Sequence, residues 1–147
     1  VNWDDAIKFC EKLTRMEKTA GRLPEGHIYT LPTEAQWEYA CRVGTTTVYS
    51  FGDTITKKQA NFDTLGQPAK QPQVGKYPAN PWGFHDMHGN VIEWCLDWYG
   101  GYPSGSVSDP VGRNVGTGWR IFRGGSWNNN GRIMTHNLAC CFFSITR

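Results

Sequence analysis

Apolar residues recur at three- and four-residue steps in two stretches of the 147-residue chain. In the first, Trp3, Ala6, Ile7, Cys10, Leu13 and Met16 form one stripe, the spacing that stacks side chains on one face of an α-helix. Asn2 is a favourable N-cap, Asp4 and Asp5 fall in the first turn where the helix dipole favours acids, and Gly21 ends the pattern. In the second, Thr33 and Gln36 have the spacing of a capping box, Glu34 and Glu38 flank it, and Trp37, Ala40 and Cys41 supply a buried face. Gly44 is expected to close this helix, just after Arg42. From Thr45 onward no segment keeps a helical period. Short extended pieces are predicted at Thr47–Phe51, Val91–Trp98, Trp119–Arg123 and Ala139–Ile145, separated by Gly/Pro/Asn clusters at 65–72, 77–83 and 99–118. The predicted class is α+β, with about 20–25% helix, about 15–20% strand and the rest irregular.

Composition adds what pins such a loop-rich chain. Seven Trp, seven Phe and six Tyr argue against disorder, and 17 Gly with 8 Pro argue for many turns. Irregular backbone carries polar groups that side-chain amides, water or a cation must satisfy, and the abundant Asn fits that demand. The net charge is only +2, from 15 Lys and Arg against 13 Asp and Glu. Nucleic acid is therefore not expected as a partner, since binding it goes with a marked basic surplus. No apolar run approaches the ~18 residues of a membrane helix, so membrane insertion is not expected either. Val1 to Cys10 is polar and amphipathic, not a signal peptide. The chain reads as one domain, 1–147, incomplete at both ends. Its compartment stays open, secreted and cell-surface locations included. Five Cys with no C-x-x-C do not indicate a disulfide framework.

Four segments carry family information: Val-Asn-Trp-Asp-Asp-Ala-Ile-Lys-Phe-Cys10, Leu31-Pro-Thr-Glu-Ala-Gln-Trp-Glu-Tyr-Ala-Cys-Arg42, Asn80-Pro-Trp-Gly-Phe-His-Asp-Met-His-Gly-Asn-Val-Ile-Glu-Trp-Cys-Leu-Asp-Trp98 and Arg120-Ile-Phe-Arg-Gly-Gly-Ser-Trp127. In this order and spacing they resemble the formylglycine-generating enzyme, or sulfatase-modifying-factor, family. The resemblance implies a C-type-lectin-like fold with few helices, short antiparallel strands and much ordered loop. It also implies an oxygen-dependent chemistry, conversion of a substrate cysteine to formylglycine by copper held between two thiolates. In the family these cysteines lie five and ten residues after the first glycine of Gly-Gly-Ser. Here those positions are Asn129 and Met134. Neither forms a thiolate, and soft copper prefers cysteine sulfur, so copper is not expected. Cys140 and Cys141 read as packing residues or variable positions on a strand, since adjacent strand residues point to opposite faces and do not easily chelate one metal. The alternative is a register shift that lets this pair replace the usual cysteines, which would restore a formylglycine-generating oxidase or related enzyme.

Cysteine-less members of the family include the variable proteins of diversity-generating retroelements, in bacteria and phage. There the stretch after Gly-Gly-Ser-Trp is rewritten while the scaffold is kept. This chain reads Gly-Gly-Ser-Trp-Asn-Asn-Asn-Gly-Arg132 and then diverges over residues 133–143. Two readings stand: a diversified binding surface, or ordinary divergence including a frame error. On the first, the expectation is a non-catalytic module that binds a protein or cell-surface ligand through Trp127, Asn128, Asn129, Arg132, Met134, His136, Leu138, Phe142 and Phe143. Aromatic and adaptable polar residues on a rigid frame are what recognition surfaces use.

The resemblance further implies structural calcium in Gly89-Asn-Val-Ile-Glu93, with the Asn90 amide, the Val91 carbonyl and the Glu93 carboxylate as oxygen donors. A second site would use Asn61. His85 and His88 beside Asp86 have no further zinc-like ligand pair and are expected to serve the loop. Gly124-Gly-Ser-Trp127 is not a nucleophile elbow, and a close backbone approach is expected at these glycines.

Overall fold

The computed structural model describes residues 1–64, 73–102, 104–112, 118–129 and 143–144. Helix α1 spans Trp3–Thr19. The Asn2 side chain accepts from Asp5 N at 2.8 Å, and the Asp5 carboxylate accepts from Asn2 N at 3.4 Å. These bonds satisfy two of the amides that a helix start leaves open. Gly21, at φ 67°, follows the C-cap Ala20.

No residue of α1 is fully buried. Its expected stripe is half-covered at Trp3, Ala6, Ile7, Cys10 and Leu13, whereas Met16 is 55% exposed. The helix is held by its edge. Trp3 Nε1 donates to Cys95 O at 2.8 Å, and the Arg120 guanidinium lies between the Trp3 and Trp98 rings, 3.6 and 3.5 Å from their centroids. Such cation–π contacts join a charge to apolar packing where few aliphatics are present.

Helix α2 spans Glu34–Arg42, with both bonds of the Thr33/Gln36 capping box formed. Its buried residues, Glu34, Trp37 and Cys41, share one face. The helix ends one residue earlier than expected: Val43 takes the left-handed conformation at φ 50°, and Gly44 follows at φ 79°.

Three strands form one antiparallel sheet in the order β1 (Glu93–Trp98), β2 (Trp119–Arg123) and β3 (Phe143–Ser144). The register pairs Glu93 with Arg123 and Trp94 with Phe122, then shifts before Trp98 pairs with Arg120. Two expected strands are shorter than predicted. Val91 and Ile92 belong to a loop, and Thr47–Phe51 reduces to a bridge between Tyr49 and Gly52 closed by bonds of 2.9 and 3.2 Å. Of Ala139–Ile145, only β3 falls within the described residues.

The main core is Trp37, Cys41, Met87, Cys95 and Ile121, where α2 lies on the sheet, and a satellite core holds Tyr49, Ala60 and Phe62. Asp97 joins the layers. One carboxylate oxygen accepts from Glu34 N at 2.7 Å and the other from Gly112 N at 2.5 Å. A Cβ at Gly112 would lie 2.5 Å from that carboxylate, so this close approach needs glycine.

Candidate functional site

Three irregular segments meet beside the main core and are tied by backbone bonds. Asn61 pairs with Gly89 in a parallel bridge, and Asn90 N donates to Asn61 O at 2.8 Å. Gly89 N donates to Gly124 O at 2.6 Å, and Trp127 N to Asn90 O at 2.9 Å. Asp63 N donates to Asn129 O at 2.8 Å. Residues far apart in sequence thus satisfy one another's main chain without a regular ladder. Gly124 sits at φ 86°, and a Cβ there would meet Trp37 and the carbonyls of Val91 and Met87 at 3.6–3.7 Å. These are ordinary contacts, so it is the left-handed φ and not a close approach that favours glycine here.

This hub fixes the root of the segment predicted to bind ligand. Asn128 is exposed, while Trp127 and Asn129 are half-buried. The Ser126 hydroxyl lies 2.6 Å from Asn128 Oδ1 and 2.7 Å from Asn129 Oδ1, so it anchors the turn. Arg132, Met134, His136, Leu138 and Phe142 lie outside the described residues, as do Cys140 and Cys141, and Phe143 enters only through the backbone pairing of β3. The hub brings Asn61, Asn90, Trp127 and Asn129 together. It places Glu93 on β1, against Trp37.

Asn129 presents an amide at the position where the family resemblance would put a copper-binding thiolate. The thiols of Cys41 and Cys95 are no substitute. Both are fully buried, and burial pushes Cys41 up to about 12 and Cys95 higher still, which suppresses the reactive thiolate.

The calcium donors are best judged by which oxygens still lack partners. The Asn90 amide is committed within the hub: its Oδ1 accepts from Asn61 Nδ2 and its Nδ2 donates to Gln73 O, each at 3.4 Å. Glu93 is different. Burial, and then the charge of Asp86, raise its carboxyl pKa against the Trp37 Nε1 hydrogen bond of 2.5 Å. Asp86 itself, at φ 59°, accepts from Gly75 N through Oδ2, while Oδ1 is buried with no hydrogen-bond partner among the described residues. Neither acid forms an ion pair with a described residue.

Both carboxylates are half-buried, and carboxylate oxygens are donors of the kind calcium takes. Among the described residues no three of His, Cys, Asp and Glu converge. Asp86 was missed by sequence reasoning, which placed it with the histidines. The histidines serve the loops: His88 Nε2 accepts from Ser50 N at 3.2 Å, and His85 Nδ1 lies 2.8 Å from Tyr77 O.

Comparison with known proteins places this geometry. A domain model described as "Sulfatase-modifying factor enzyme 1-like domain" matches residues 1–139. The chain is 45% identical over 105 residues to a Chlamydia caviae protein named serine/threonine-protein kinase pkn1, covering 67% of this chain and 16% of that one. It is 34% identical over 143 residues to the formylglycine-generating enzyme of Streptomyces coelicolor, covering 86% of this chain and 40% of the relative. Among solved structures, Treponema denticola variable protein 1 superposes with a TM-score of 0.76 at 27% identity, over 98% of this chain and 64% of that one. The chain therefore spans well under half the length of these curated relatives, and it belongs to the sulfatase-modifying factor enzyme 1-like domain family.

Proposed function

We propose that this domain is a non-catalytic ligand-binding module whose recognition face begins at Trp127 and runs through the divergent stretch to Phe143. The observation that carries this reading is Asn129. At the position where the family's oxidases need a cysteine, this chain has an amide whose backbone carbonyl is locked to Asp63 N and whose side chain accepts from Ser126. A residue that ends a scaffold turn suits display better than metal chemistry. The fold shared with a variable protein, and the small share of the chlamydial protein that matches, are consistent with a module attached to other machinery.

In this reading calcium is structural. Asp86, Glu93 and the Val91 carbonyl would hold it, and it would neutralise the two half-buried carboxylates and brace the loop that anchors Trp127. The partner would be a protein or cell-surface molecule.

The test is tolerance. Simultaneous random replacement at positions 128, 132, 134, 136 and 138 should leave the melting temperature of most variants unchanged, because these side chains serve recognition, not folding. If most variants unfold, the segment belongs to the core and the display reading fails. The competing reading, a cysteine oxidase, is favoured by the identity to the Streptomyces enzyme.

A further inference from the structure

A cavity of about 390 Å³ lies away from Trp127, between Ser50-Phe51 and the turn 78–88, and its volume is within the range of small-molecule sites. Phe51, Phe84, Met87 and Ala79 give it apolar walls, and neither Lys nor Arg lines it. The Phe51 and Phe84 rings are 40% and 47% exposed. Most polar groups of the lining are committed to the protein. Asn80 Oδ1 accepts from Trp82 N at 3.0 Å and Phe84 N at 3.1 Å, and its Nδ2 donates to Ala40 O at 2.7 Å. His88 Nε2 accepts from Ser50 N at 3.2 Å, so that nitrogen carries no proton.

Asp86 is the exception, and it is the one Asp or Glu in the lining. Its Oδ2 accepts from Gly75 N at 2.7 Å and has capacity for a second donor, while Oδ1 is buried with no hydrogen-bond partner among the described residues. No described cation forms an ion pair with it. A carboxylate without a counter-charge, beside a hollow with aromatic walls, is complementary to a cation on an apolar body. The carboxylate takes the N–H bonds of an ammonium, and the ring faces attract the same charge.

We propose that this cavity binds a primary arylalkyl amine, with its ammonium on the Asp86 carboxylate and its ring against Phe51, Phe84 and Met87. A neutral ring compound leaves the carboxylate uncompensated, and an anion is repelled by it. The site is separate from the recognition face after Gly124. It shares Asp86 with the calcium proposed above, so calcium and the amine compete.

The test is an amide NMR titration of the whole chain, in chelator, with benzylamine, benzyl alcohol and benzoate as probes. Benzylamine should give saturable shifts confined to the Ser50–Phe51, Gly75 and 78–88 resonances. Benzyl alcohol should bind about tenfold or more weakly, the span of a hydrogen bond to a charged group, and benzoate more weakly still. Asp86→Asn keeps an acceptor for Gly75 N, and asparagine tolerates the φ of 59°. This variant should bring benzylamine down to the affinity of benzyl alcohol. Phe84→Ala should weaken benzylamine severalfold. Calcium added to the chelator-free sample should weaken it too; shifts that calcium leaves unchanged would uphold the amine site and remove Asp86 from the calcium site. Equal or tighter binding of benzyl alcohol or benzoate would overturn the proposal. So would an Asp86→Asn variant that binds benzylamine as the parent does. Unsaturable benzylamine shifts in a chain whose melting still depends on chelator would sink the amine site and leave the calcium reading standing.

Discussion

Helix α1 and the hub formed by segments 61–63, 86–93 and 124–129 solve opposite problems. The helix is regular, capped at its start and amphipathic, yet buries no residue fully. The hub is nearly all loop, yet contains Asn61, Met87, His88 and Asn90, each at most 8% exposed. The helix satisfies its backbone locally and attaches through Trp3 and Arg120. The hub satisfies its backbone largely across distant parts of the chain. Local regularity and contribution to the core are therefore separable here, and the candidate site grows from the region that lacks regularity.

The largest effect expected from this contrast is at Trp37, which packs beneath Gly124 and donates to Glu93. Trp37→Ala should cost about 3–5 kcal/mol and lower the melting temperature by roughly 10–15 °C. Phe9→Ala and Met16→Ala on α1 should each stay within about 0.5 kcal/mol. Denaturant titration measures both. Comparable losses would erase the distinction between the two regions.

Next is Asp97→Ala. It strands the amides of Glu34 and Gly112 and should cost about 2–3 kcal/mol, with Asp97→Asn milder because one acceptor oxygen remains.

Chelation tests the hub's charges. Removing calcium from a solution holding it at about a hundred times its Kd should cost about 2.7 kcal/mol, and Glu93→Gln should remove most of that dependence. The pH sign follows from Glu93. Its folded pKa is raised, so between the ordinary carboxylate value and the raised value the folded chain holds a proton that the unfolded chain has lost. In chelator, stability should therefore fall as pH rises through that window and level off above it. Glu93→Gln should lack this component, and calcium should suppress it. A slope of the opposite sign would remove Glu93 from the site.

A smaller loss is expected at the helix start. Asn2→Ala removes the acceptor for Asp5 N and should cost about 1 kcal/mol, read as a small shift in thermal melting.

What could be read in the sequence divides along the same line. Both helix starts were legible because a cap is a local pattern: Asn2 with Asp5, Thr33 with Gln36. Strand β2 matched its expected span because Trp119–Arg123 is bounded by glycines. The end of α2 was misplaced because Val43, a β-branched residue, takes the left-handed conformation ahead of the glycine. In the candidate site, the family motifs pointed to Gly124 and to the loop through Glu93. Asp86 was not legible as an oxygen donor, because its relation to Glu93 arises only when the loop between them folds. The bond from Asp63 to Asn129 joins positions with no shared local pattern, so periodicity could not reveal it.

Whether an amide at position 129 ends the family's chemistry can be tested directly. The chain is incubated with copper, oxygen and a Cys-x-Pro-x-Arg peptide, and the peptide is weighed by mass spectrometry for conversion of cysteine to the aldehyde. A ligand-binding module without a thiolate pair predicts unchanged peptide at every time point. Aldehyde formed in proportion to the amount of this protein, and lost in Cys140→Ser or Cys141→Ser, would contradict it.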